Sequence, residues 1–186
     1  MFDVGLTTFM ILATSLVMLM TPGLAFFYGG LGSKKHILSI MMQSFVSLGL
    51  TSVLWFFFGY SLCFSGNMKD GTDFFGLIGN LDKAFLHGIT PKTVFSPDHN
   101  FPEYIFIAYQ MMFAIITPAL ITGAFINRIS FKAYFWFLVL WQLFVYYKAN
   151  PQAFSRENLG RGIFSLGVLT LLLIGFVALL VVFLSN

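Results

Sequence analysis

The sequence predicts an all-α membrane protein with about five transmembrane helices. Hydrophobic residues fill 58% of its 186 positions and charged residues only 9%, where a soluble domain carries about 25% charged side chains. Uncharged apolar runs recur along the chain, each near the length of about twenty residues that crosses a bilayer as a helix. The strands of a membrane barrel would be shorter and would alternate apolar with polar residues, and the runs do not alternate. Each run is therefore expected to be helical, because a spanning segment must satisfy its own backbone hydrogen bonds.

The first span covers roughly Gly5 to Gly30. It begins "MFDVGLTTFM", with Asp3 where a signal peptide carries basic residues, so it reads as a retained span. The second runs from Ile37 to Phe64, the third from Tyr104 to Ile126, and the fourth from Ile129 to Tyr147, with Lys132 snorkelling near its end. The fifth covers Gly162 to Leu184 within a C-terminal segment 162–186. Pro22 and Pro118 fall inside spans, where each removes a helix hydrogen bond. Such a break serves either a cavity or packing, provided neighbours or water resatisfy the freed carbonyl.

Charge orients these spans. The formal net charge is +3, and its basic residues cluster at Lys34 and Lys35 and again at Arg128 and Lys132. Clusters of this kind mark cytoplasmic loops, which places the N-terminus outside a bacterial-type inner or plasma membrane. Lys34 and Lys35 either contact anionic lipid or simply set this orientation. No nucleic-acid partner is expected. The cap segment 65–103 then lies outside, with Asp70, Asp73, Asp82, Asp98 and Glu103 outnumbering Lys69, Lys83 and Lys92. Within it, "NLDKAFLHGI" predicts a short helix capped by Asn80 and ended by Gly88. His87 and His99 read as loop histidines, because no ligand spacing accompanies them, and no metal or other cofactor is expected. Cys63 is the single cysteine, so no intrachain disulfide forms.

Three stretches carry a family resemblance: "TPGLAFFYGGLGSKKHILSIMMQSF" (Thr21 to Phe45), "LWFFFGYSLCFS" (Leu54 to Ser65) and "AYQMMFAIITPALITGAF" (Ala108 to Phe125). In this order they resemble the N-terminal part of the ammonium transporter/Rhesus family, over about residues 1–147. The first four spans thus resemble the first half of that fold, and the tail reads as unrelated. The resemblance implies a trimer whose subunits each carry a pore between two inverted five-helix halves. It also implies an aromatic vestibule, stacked phenylalanines at the entrance, two histidines lining the passage, and an acidic residue beneath the vestibule.

Carried over residue by residue, the resemblance places Tyr109 and Phe113 in a remnant ammonium vestibule, with Phe113 matching the outer gating phenylalanine. A spacing of four puts both on one helical face. Aromatic faces attract a cation by roughly 0.5–2 kcal/mol per contact; the alternative is that both rings simply pack. Other expected positions depart from the family pattern. His36, His87 and His99 all lie outside the spans, the fifth span has no Asp, Glu or His, and "YYKANPQAF" stands where a vestibule tryptophan is expected. Asn127 replaces the acidic residue that commonly precedes Arg128, while Trp136 and Trp141 read as packing or interfacial residues.

The polar segment 148–161 reads as a connector or as an interfacial helix capped by Asn150, with Pro151 at its first position. Gly167 and Gly175 share a face of the last span and allow a helix of the bundle or of a partner to approach closely. The alternative for that span is a lipid-facing anchor. A pore between inverted repeats needs both walls, and the sequence is read as supplying one. The resulting expectation is a transport-inactive, ammonium-transporter-like protein acting as a structural or accessory subunit of a larger membrane assembly. Its expected partners are lipid and either other membrane subunits or copies of itself. The alternatives are a channel subunit that works only with partner chains and an ammonium sensor. No nucleophile–base pair or phosphate-binding loop points to an enzyme.

Overall fold

A computed structural model of the chain describes residues 2–32, 35–65, 79–96, 99–125 and 128–147. Among the described residues three helices are long and apolar enough to cross a membrane: α1 (Val4–Leu31), α2 (Ile37–Phe64) and α3 (Glu103–Ile121), the last prolonged by a 3-10 turn at Thr122–Phe125. A shorter apolar helix, α4 (Phe131–Trp141), continues into a π-turn at Gln142–Tyr146. These correspond to the first four expected spans. Lys34, Asn127, the connector 148–161 and the fifth span with Gly167 and Gly175 lie outside the described residues.

Two of the helices start at a side-chain cap. The Asp3 carboxylate accepts from the Leu6 amide at 3.0 Å, capping α1. Ser130 caps α4 in the same way through Ala133. Along α1 the buried residues are Thr21, Ala25 and Gly29. Their spacing of four makes a stripe of small side chains that lets α2 and α3 approach closely. The remaining faces of α1 present Phe9, Leu12, Leu16 and Leu19, all exposed, as a lipid-facing helix should.

The interior holds two apolar clusters. Trp55, Tyr60 and Cys63 of α2 meet Ile107 and Ala114 of α3 and Tyr147 after α4. Ile121 packs with Tyr134, Leu138 and Trp141. The π-turn Trp55–Gly59 in α2 packs against Tyr147, which follows the second π-turn Gln142–Tyr146: at Gly59 an added Cβ would lie 2.7 Å from the Tyr147 ring. Only a glycine permits that approach.

Polar side chains between the helices repair the break at Pro118. Proline at 118 offers no N–H to the Ala114 carbonyl four residues earlier. The Gln142 side-chain amide takes over, donating to the Ala114 oxygen at 2.8 Å and to Thr51 Oγ1 at 3.1 Å. Ser47 of α2 donates to the next carbonyl, that of Ile115, at 3.1 Å. The one donor that the proline removes is replaced from the π-turn after α4, and Ser47 of α2 adds a bond at the neighbouring carbonyl.

Two features depart from the sequence expectations. Residues 80–88 do not form the expected short helix. Asn80 instead bonds the backbone and side chain of Asp82, a single 3-10 turn spans Ala84–Leu86, and Phe85 and Leu86 take left-handed φ values of 56°. Side-chain contacts override helix propensity here. The Phe85 ring meets Phe57 edge to face at 5.1 Å, and Leu86 packs on the α2 cluster. Gly88, at φ 77°, ends the turn as expected. The cap segment also contains a short antiparallel pair that was not anticipated, β1 (Val94–Ser96) and β2 (His99–Pro102). It leads into α3, and the Asp3 amide donates to Asn100 at 2.8 Å.

Replacing Gln142 with Leu is expected to leave the Ala114 carbonyl unpaired and to cost about 1–3 kcal/mol in detergent unfolding. The loss should shrink in a Pro118→Ala background, where residue 118 again carries a donor. Equal costs in both backgrounds would show that Gln142 does not repair the proline break.

Candidate functional site

The candidate vestibule residues lie on α3. Tyr109 and Phe113 meet edge to face with ring centroids 5.0 Å apart. Tyr109 is half-buried, and Phe113 retains 37% exposure. Thr117, one turn further along the same face, bonds back to the Phe113 carbonyl at 2.7 Å. Ala114 and Ile115, turned away from both rings around the axis of α3, are buried against the bundle, and Met112 and Ile116 are buried beside the aromatic pair. The aromatic pair therefore stands on the open side of α3, on a helix pinned from behind by Ser47 and Gln142.

The residues matched by the sequence profile described as Ammonium Transporter Family run from 8 to 182. The chain belongs to the ammonium transporter family. It is 41% identical over 164 residues to an ammonium transporter of Mycobacterium bovis, covering 84% of this chain and 34% of that protein. It is 38% identical over 184 residues to a putative ammonium transporter of Methanothermobacter thermautotrophicus, covering 96% of this chain and 43% of the relative. The crystal structure of Saccharomyces cerevisiae Mep2 superposes with a TM-score of 0.68 at 33% identity, over 84% of this chain and 33% of that one. The chain thus spans between about a third and two fifths of the length of these relatives.

The family match continues past the 1–147 stretch that carries the recognisable motifs. Residues 148–182 therefore share in the relationship and are not an unrelated tail. Residues 162–182 contain no aspartate, glutamate, histidine or tryptophan by which the family could be known there.

Other candidates of this ammonium transporter family chain are spread apart. His36 stands at the start of α2, His87 follows the 3-10 turn, and His99 begins β2. Trp136 is 65% exposed, whereas Trp141 is buried beside Tyr146 at 5.8 Å. Only the first occupies a lipid-facing position.

Sequence reading treated Glu103 and Lys83 as loop charges. The fold instead buries Glu103 at the first turn of α3, 2% exposed, where it accepts from Tyr60 at 2.6 Å and from Lys83 at 2.7 Å. The Lys83 ammonium also lies 5.7 Å from the centre of the Tyr60 ring. The three residues are up to 43 positions apart in sequence. The available signal was an acidic residue directly before an apolar span, where a solvated carboxylate and a buried one look alike.

A double-mutant cycle on Tyr109→Ala and Phe113→Ala should return a coupling of about 0.5–1.5 kcal/mol, the usual range for an edge-to-face pair. Additive losses in detergent unfolding would mean that the rings do not act together.

Proposed function

We propose that this chain forms part of one wall of an ammonium-conducting membrane assembly and does not conduct by itself. The observation that carries the reading is the Tyr109–Phe113 pair, held rigidly on α3 with Phe113 still 37% exposed on the side away from the bundle. An aromatic face can replace part of a cation's hydration, but a conduit also needs a facing wall. Relatives named as ammonium transporters are more than twice as long as the stretch they share with this chain. In this reading the chain acts with other membrane segments, either as an accessory subunit or as one of several polypeptides that complete the path. Its orientation, with the Val4 end outside, follows from the basic residues Lys34, Lys35, Arg128 and Lys132.

Liposome flux tests the proposal. The purified chain is expected to give no ammonium-dependent change in internal pH above empty vesicles. Co-reconstitution with helices corresponding to the remainder of a full-length relative should restore flux, and Phe113→Ala should reduce it about tenfold or more. Flux through the chain alone would overturn the reading. Saturable methylammonium binding without flux in either preparation would mark the chain as a sensor instead.

A further inference from the structure

We propose that Glu103 and Tyr60 form a binding site for a primary ammonium group or ammonium ion, which Lys83 fills from within the same chain. The site already holds such a group. The Lys83 Nζ sits 2.7 Å from Glu103 Oε1 and 5.7 Å from the Tyr60 ring centre. Tyr60 OH donates to the same carboxylate oxygen at 2.6 Å and fixes its position. A carboxylate that accepts directed N–H bonds, with an aromatic face beside it, suits ammonium better than a bare alkali cation. The N–H bonds are charge-assisted and directional, and the ring quadrupole supplies the second attraction.

The site is distinct from the Tyr109–Phe113 pair. Six residues of helix separate Glu103 from Tyr109, a turn of about 240° around the axis and about 9 Å along it. Glu103 faces α2 and the cap segment, not the open aromatic face. Burial makes occupancy obligatory, because a carboxylate at 2% exposure that loses the cation paired with it among the described residues leaves an uncompensated buried charge. Lys83 is 35% exposed, so the site opens to solvent along that side chain.

The lysine backbone is held independently of its ammonium. The Lys83 amide donates to Ser61 Oγ at 3.0 Å, and both Ser61 and Ser65 donate to the Asn80 carbonyl at 2.8 and 2.6 Å. Gly79 is packed so tightly that an added Cβ would run into the Ser65 carbonyl oxygen. Removing the lysine head therefore vacates the carboxylate while leaving this stitching in place. Lys83 acts as a built-in occupant that keeps external ammonium out.

The experiment is a thermal-shift titration of the purified chain in detergent. Lys83→Met should gain a melting-temperature rise of about 3–6 °C at ammonium chloride ten times the Kd, relative to equal sodium or potassium chloride. Wild type and Lys83→Arg should not respond, and Lys83→Met with Glu103→Gln should lose the response. An equal response to all three salts, or none in Lys83→Met, overturns the site, as does a response that persists with Glu103→Gln. If Lys83→Met aggregates in sodium chloride, purification in ammonium chloride decides: monodisperse protein supports the site, and aggregation in both salts overturns it. Binding in detergent requires no conduction, so this site and the proposed conducting role fail separately.

Discussion

The side-chain amide of Gln142 satisfies a carbonyl that Pro118 leaves without its helical donor, and the packing of α2, α3 and α4 depends on that substitution. In hydrocarbon no water stands ready to donate in its place, so an unpaired carbonyl there costs about 1–3 kcal/mol. Gln142 reaches Ala114 from the π-turn that follows α4, while its contact with Thr51 ties the same amide to α2. Ser47 adds a bond to the neighbouring carbonyl of Ile115. Three helices therefore meet at one break in α3, and their relative positions are set by directed bonds as well as apolar contact.

That anchorage bears on function because Phe113 immediately precedes Ala114. The bonds at Ala114 and Ile115 hold the inner side of α3, and the rings of Tyr109 and Phe113 project from the other. An aromatic surface offered to a cation gains from rigidity, since little motion must be arrested on binding. The π-turns at Trp55–Gly59 and Gln142–Tyr146 serve the same packing. Tyr147, directly after the second, fits against the first because Gly59 has no side chain.

The end of the bundle at the cap segment is organised by charge. Glu103 lies at the N-terminus of α3, where a negative charge is favoured by the helix dipole, and Lys83 and Tyr60 complete its bonding. This ties the cap segment to both α2 and α3, while the bond from Asp3 to Asn100 ties the start of α1 to β2.

The sequence by itself determined the membrane class, the bounds of the first four helices, the family relationship and the pairing of Tyr109 with Phe113. All of these rest on local length, composition or i to i+4 spacing, which need no knowledge of distant residues. Motif reading stopped too early at Tyr147, because the following segment shows few of the polar residues that identify family members. The turn at residues 80–88 was also misread as a helix, since contacts of Phe85 with α2 outweigh local propensity. Only the tertiary structure decided that Pro118 is repaired by Gln142, and that Glu103 is buried against Tyr60 and Lys83. Those partners are brought together across 28, 43 and 20 positions, and an isolated glutamine or glutamate looks the same in sequence whether it meets water or a waiting donor.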